Sequence, residues 1–331
     1  MSETMIGLRA ALGRNDANQD FLSYLEQLDV SSIELYAPEG DELREVLRAL
    51  EVPEEVIRAV EASRPKPNTE AWWLLERCVA SLVQTMGNPA APPGFPPPMD
   101  IPGMDSYFYV HVFVATLPYT QRYHRERGIP EEIARATLAD LGRNVRVHHK
   151  RYGTGGMGVP AWISLHFRGT IYHLGRLQFE RTLMRESIAN ALRARGEDVK
   201  PTDLVLSIHI PDFLGPLTPE ACDASIASAR EFFATYFPDE AYRYGVCHSW
   251  LLDPQLADYL SEGSNIVRFQ RRFELAGGGH DADRSILQFV FGPAPDNLSE
   301  LPQRSTLERA VVSHLQNGGH WYGRSGWFPW K

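Results

Sequence analysis

The stretch from residue 203 to residue 250 constrains this chain most, because it dictates a parallel pair of strands. Residues 203–210 (DLVLSIHI) alternate apolar and polar side chains, the period of a strand. A short loop, residues 211–217 (PDFLGPL), leads into Thr218-Pro219-Glu220 and an amphipathic stretch that runs to Phe237. Threonine is a good helix N-cap, and proline suits the first helical position, where its missing N–H costs nothing. Residues 243–252 (RYGVCHSWLL) read as a second strand. Strand, loop, helix and strand predict two parallel strands joined by a right-handed crossover. The loop at the helix start then presents backbone N–H groups beside a sheet edge, a place that suits a phosphate or pyrophosphate.

Patterns on either side extend this unit. Residues 161–168 (AWISLHFR), 170–174 and 176–181 read as successive antiparallel strands, with turns at Arg168-Gly169 and Gly175-Arg176. Residues 253–261 read as a short helix capped by Asp253, and residues 265–275 and 284–292 as two more strands. Residues 277–279 are expected at a hairpin tip, and residues 305–316 as a final helix. The tail, residues 320–331 (HWYGRSGWFPWK), is too aromatic for a solvated segment and is expected to pack on the domain or line a cleft.

The first half is helical in period, with expected helices over residues 17–28, 41–50, 53–62, 68–86, 104–127 (interrupted near Pro118) and 129–148. Residues 88–103 (NPAAPPGFPPPMDIPG) are proline-dense, which forbids helix and ladder pairing and predicts an extended connector outside any core. The glycine-rich run 153–158 (GTGGMG) precedes an expected strand rather than a helix, so it reads as an interdomain connection more than a phosphate loop. It divides the chain into a helical domain, residues 1–155, and a mixed-sheet domain, residues 156–331.

At 331 residues the chain is too long for one typical domain. A net charge of −9 argues against nucleic-acid partners and against an acidic membrane surface. No apolar run reaches the roughly 20 residues a membrane span needs, and residues 1–18 lack the pattern of a signal peptide. Cys78, Cys222 and Cys247 are odd in number and widely spaced, which predicts neither a disulfide framework nor a metal site but a reducing, cytoplasmic setting. Adjacent His148 and His149 diverge by about 100° on a helix and find no third ligand, so no metal is expected.

The stretches GRLQFER (175–181), LSIHIPDFLGPLTPEACDASIASAREFF (206–233), CHSWLLDP (247–254) and SNIVRFQRRF (264–273) resemble bacterial acyltransferase domain-containing proteins. Those join a helical N-acyltransferase N-terminal domain to a GNAT-like C-terminal domain. The resemblance implies an α/β (α+β) chain, with a helical N-terminal domain plus a GNAT-like mixed β-sheet domain with flanking helices. It implies transfer of an acyl group from acetyl-CoA or another acyl-CoA to a small-molecule amine, with the donor where the strand before the main helix splays from the strand after it. Ile210, Asp212, Leu214, Gly215, Leu217 and Thr218 would then hold the CoA pyrophosphate. Typical GNAT enzymes carry several small residues in this loop. Here there is one glycine, and Glu220 and Asp223 follow in the first helical turns, where their charges oppose a bound phosphate.

Several side chains are candidates for the chemistry. His209, at the end of the strand before the loop, is the leading base, because an imidazole titrates near working pH. Glu180 is the next candidate, to deprotonate or hold an amine; its bland reading is an ion pair with Arg176, Arg181 or Arg268. Cys247 serves as a nucleophile only if its thiolate forms, and is otherwise a core thiol. His248 is either a second base or a structural histidine. Ser249 and Trp250 are candidates for substrate binding, Trp250 by stacking or else as core, and Arg176 is a third. In GNAT enzymes a tyrosine near Tyr259 often acts as general acid toward the leaving thiolate. A module that only binds a small molecule in a GNAT-like cleft, and acyl transfer or hydrolysis through Cys247, stand as alternatives.

Overall fold

The computed structural model describes residues 16–90, 95, 104–292 and 297–331. Contacts divide the chain into two compact units, Met1–Tyr172 and His173–Lys331. The glycine run at 153–158 lies inside the first unit and is close-packed. A Cβ at Gly155 would strike the Tyr107 hydroxyl, and Cβ atoms at Gly156 and Gly158 would press on the His148 ring. Its glycines serve close approach within the first unit.

In the first unit the helices are α1 (Asp16–Glu26), α2 (Gly40–Ala49), α3 (Glu54–Ala62), α4 (Glu70–Gln84), α5 (Phe108–Glu126), α6 (Glu131–Leu138), α7 (Asp140–Tyr152) and α8 (Pro160–Phe167). Thr69 caps α4 by accepting the Trp72 N–H. Helix α5 continues through Pro118, so the expected interruption is absent. The single helix expected over 129–148 is two, α6 and α7, meeting at Ala139. The strand expected over 161–168 is the helix α8, opened by Pro160. Ile163, Ser164, His166 and Phe167 are all buried there, so no amphipathic stripe betrays the helix. Of the proline-dense connector, residues 91–94 and 96–103 lie outside the described residues. Phe95 enters the core, stacked on Tyr109 with ring centroids 5.5 Å apart and edge-on to Phe21, contrary to the expectation that the segment avoids both cores. Asp140 is fully buried and takes bonds from Trp162 Nε1 at 3.1 Å and His166 Nε2 at 3.2 Å.

The second unit is built on a mixed sheet. Its strands are β1 (Ile171–Leu174), which straddles the division, β2 (Leu177–Leu183), β3 (Leu204–His209), β4 (Tyr244–Ser249), β5 (Glu274–Leu275), β6 (His280–Asp281) and β7 (Tyr322–Pro329). The order is β1-β2-β3-β4-β7-β5, with β6 also on β7. Strands β3 and β4 are parallel; β2/β3, β4/β7, β5/β7 and β6/β7 are antiparallel. Helix α9 (Glu186–Arg193) covers the face carrying Val205, Tyr244 and Val246. Helix α10 (Pro219–Tyr236), the predicted crossover, ends against the opposite face, where the Arg181 guanidinium lies 4.1 Å over the Phe237 ring and pairs with Glu240.

The strands expected over 265–275 and 284–292 are instead α11 (Asn265–Gln270) followed by the two-residue β5, and α12 (Asp283–Phe291). Short apolar runs fit either period. Ser264, accepting the Val267 N–H, tips the first toward helix. Residues 277–279 join β5 to β6, which pair with β7 rather than with each other. The last helix, α13 (Thr306–Gln316), opens with a capping box of Ser305 and Glu308. The aromatic tail becomes β7, an internal strand between β4 and β5.

Candidate active site

The parallel pair opens where the crossover helix begins. Strands β3 and β4 are in register at Leu206 with Gly245 and Ser207 with Val246, and no further pair is recorded among the described residues. Outward, β3 stays paired to β2 through His209, and β4 stays paired to β7 through Ser249. The C-terminal ends of the two central strands are therefore each held by an outer neighbour but not by one another. That leaves a wedge between the two strand ends.

One face of the sheet at this wedge is polar. Glu180 pairs in register with Ser207, so its side chain shares a face with that of His209 two residues on. The two meet directly, His209 Nε2 to Glu180 Oε2 at 2.8 Å, with side-chain exposures of 28% and 16%. An imidazole whose Nε2–H is given to a carboxylate carries its lone pair on Nδ1. Counting onward from Ser207 and Val246, His209 and His248 hold equivalent positions on the two lips. His248 Nδ1 lies 2.7 Å from the Ser325 hydroxyl on β7. Burial, with Arg185, His209 and His280 nearby, holds the His248 imidazolium down to about 3.

Cys247 points to the other face and is buried, which pushes its thiol up to about 12. Such a thiol is not a nucleophile at neutral pH. Ser249 accepts the Leu251 N–H and caps a short 3-10 turn, Trp250–Leu252. Trp250 and Tyr259 pack with Leu256, Val267, Val311 and Trp321 in a separate cluster. The Tyr259 hydroxyl is bonded to His314 Nδ1 at 3.0 Å. Of the expected catalytic and substrate residues, then, the fold brings Glu180 and His209 together with His248 near them, while Ser249 caps a turn and Trp250 and Tyr259 pack half-buried on the separate cluster.

The loop after β3 is organised by Arg176. Its Nε donates to the Gly215 carbonyl at 3.1 Å and the Pro216 carbonyl at 3.3 Å, and its Nη1 to the Pro211 carbonyl at 2.9 Å. Its own backbone N–H is held by Ser225 Oγ of α10 at 2.6 Å. Drawing those carbonyls inward turns the amide of Leu217, which shares a peptide plane with the Pro216 carbonyl, the other way. Gly215 sits at φ +77° with open space around it, a left-handed position that suits glycine. Thr218 caps α10 by accepting the Ala221 N–H at 3.2 Å. Asp223 is paired with Arg272, which also bonds the Pro219 carbonyl, so part of the negative charge expected at this helix start is neutralised. Arg176 thus clamps the loop.

Sequence reasoning missed Ser325 and Arg185. The tail, expected to pack on the domain or line a cleft, carries no apolar–polar alternation over residues 322–328 that would mark it as a strand. Elsewhere in this unit, Asp281, Asp283 and His320 bring ligand atoms within 4.8 Å of one another, but Asp283 is engaged by His320 Nδ1 and the Trp321 N–H. Among the described residues no helix is long and apolar enough to cross a membrane.

A parallel pair parted before a crossover helix, in a mixed sheet of this order, defines a GNAT-like fold. Residues 171–328 match the GNAT-like C-terminal domain family, and residues 41–169 the N-acyltransferase N-terminal domain family. Solved structures agree over the whole chain. An acyltransferase mutant in complex with octanoyl-CoA is 39% identical with a TM-score of 0.88, covering 99% of both chains. An acyltransferase in complex with decanoyl-CoA and teicoplanin is 40% identical with a TM-score of 0.87, covering 98% of both chains. A third, with CoA and 10C-teicoplanin, is 39% identical at a TM-score of 0.87, again over 98% of both chains. No curated protein sequence matches this chain. The chain belongs to the acyltransferases that join these two domains.

Proposed function

We propose that this protein transfers an acyl group from acyl-CoA to an amine on a small-molecule acceptor by direct attack. The observation that carries the reading is the Glu180–His209 pair, set on the polar face beside the parted ends of β3 and β4. The amine attacks the thioester carbonyl carbon and forms the C–N bond. The ammonium proton passes to His209 Nδ1, while Glu180 holds the opposite nitrogen and stabilises the imidazolium. Collapse breaks the C–S bond, and the CoA thiolate leaves to be protonated from water. Backbone N–H groups of Leu214, Gly215, Leu217 and Thr218, at the start of α10, supply donors for the pyrophosphate. The relatives that bind octanoyl-CoA and decanoyl-CoA support a medium acyl chain, and those with teicoplanin support a glycopeptide-like acceptor. A route through Cys247 is disfavoured by its burial and its high thiol pKa.

Calorimetric titration with decanoyl-CoA, followed by an assay of CoA release with teicoplanin, tests the reading. Binding with acceptor-dependent release is the expected result. Absence of binding at millimolar decanoyl-CoA removes the enzymatic reading and favours a module that only holds a small molecule.

A further inference from the structure

We propose that His248, set by Ser325, donates a hydrogen bond from Nε2 to the oxyanion that forms on the thioester carbonyl during acyl transfer. The inference rests on the acyl-transfer reading above and adds a residue to its machinery.

The argument begins with the hydroxyl. Among the described residues the Ser325 side chain has one recorded partner, His248 Nδ1 at 2.7 Å. A hydroxyl hydrogen rotates to suit its surroundings, and with a single acceptor in reach it goes there. Nδ1 therefore accepts, and the neutral ring carries its hydrogen on Nε2. Nε2 has no recorded protein partner and is not among the polar atoms sealed from solvent. It belongs to the lip of the wedge opposite the Glu180–His209 pair, at the position equivalent to His209.

Electrostatics select the donor role over the base role. Burial and the neighbouring Arg185, His209 and His280 keep the imidazole uncharged, so it has little pull on a proton. The Arg185 guanidinium favours a negative charge that appears beside it. A neutral donor in a partly desolvated, positively biased place is what a developing alkoxide requires. The chemistry balances without His248 changing its proton. Attack by the amine forms the C–N bond and moves the carbonyl π pair onto oxygen. Nε2–H bonds to that oxygen while it is negative, and the pair returns as the C–S bond breaks.

The test compares His248→Gln, His248→Ala and Ser325→Ala with wild type, using decanoyl-CoA as donor and teicoplanin or hydroxylamine as the amine. Glutamine keeps a neutral N–H donor but cannot act as a base. Expected is a loss of roughly 10²–10³-fold in kcat for His248→Ala with little change in KM, the usual effect of removing one oxyanion donor. His248→Gln should recover most of it, and Ser325→Ala, which frees the ring to take the other tautomer, should fall between. Thermal melting and decanoyl-CoA titration check that each variant is folded; if His248→Ala is not, the other two carry the comparison. A folded His248→Gln that is as slow as the alanine variant, or slower than Ser325→Ala, overturns the proposal, as does His248→Ala at wild-type rate. Wild-type protein that releases no CoA with either amine overturns the acyl-transfer reading and this proposal with it, an outcome distinct from active wild type with unaffected variants.

Discussion

Cys247 and His209 sit on neighbouring strands, yet their surroundings separate them sharply. Cys247 is sealed in the core, where a thiolate is penalised, while His209 is part-exposed and bonded to a carboxylate. Cys247→Ala is therefore expected to keep most activity, and His209→Ala to lose roughly 10²–10⁴-fold in CoA release, the usual span of general-base catalysis. Mass spectrometry with decanoyl-CoA alone separates the two routes: an acyl adduct on Cys247 alongside an active His209→Ala variant would sink the direct-transfer mechanism. Strand alternation alone put Cys247 and His248 on opposite faces, which was legible. It did not say which face carried the wedge, because that depends on the β3–β4 register and on which helix covers which side. Tyr259 was placed from the family pattern, and its bond to His314 shows what local sequence cannot: the partner is far along the chain.

At the scale of elements, the loop before α10 is the place where one side chain governs many backbone groups. Removing the Arg176 guanidinium releases the Pro211, Gly215 and Pro216 carbonyls together. Arg176→Ala is expected to raise the KM for decanoyl-CoA roughly 10-fold, the scale of losing about 1.5 kcal/mol of charge-assisted bonding, with kcat nearly unchanged. Steady-state kinetics check this, and a fall in kcat at constant KM would place Arg176 in the chemistry instead. The strand–loop–helix–strand unit was legible because Thr218, Pro219 and the alternation of residues 203–210 all point the same way. Helices α8, α11 and α12 were not. They are short, and short apolar runs fit either period, so a cap such as Ser264 or tertiary burial decides between helix and strand.

Across the whole molecule, buried histidines link stability to acid. Burial lowers the pKa of His111 to about 4, against the help of the Val60 carbonyl, and burial alone lowers that of His124 to about 4. In the unfolded chain both titrate near 6.5, so the unfolded state binds the extra protons first. Stability is full above about 6.5 and falls as the pH drops toward about 4, by on the order of 3 kcal/mol per histidine. Denaturant titrations at about pH 7.5 and about pH 5 should show this, and His111→Phe with His124→Phe should shrink the difference, leaving the part due to His248. A wild type whose midpoint is the same at both values contradicts the assignment.

Among the described residues strand β7 follows every other strand in the order of synthesis, yet it pairs with β4, β5 and β6 and carries the serine bonded to His248. A nascent chain that has not yet reached Tyr322 has β4 exposed along one edge and its imidazole unset. Until then the half-made sheet offers a bare strand to any other chain nearby, a period in which aggregation competes with folding. Translation thus holds the candidate site in an unfinished state until Tyr322 and the residues after it have been added.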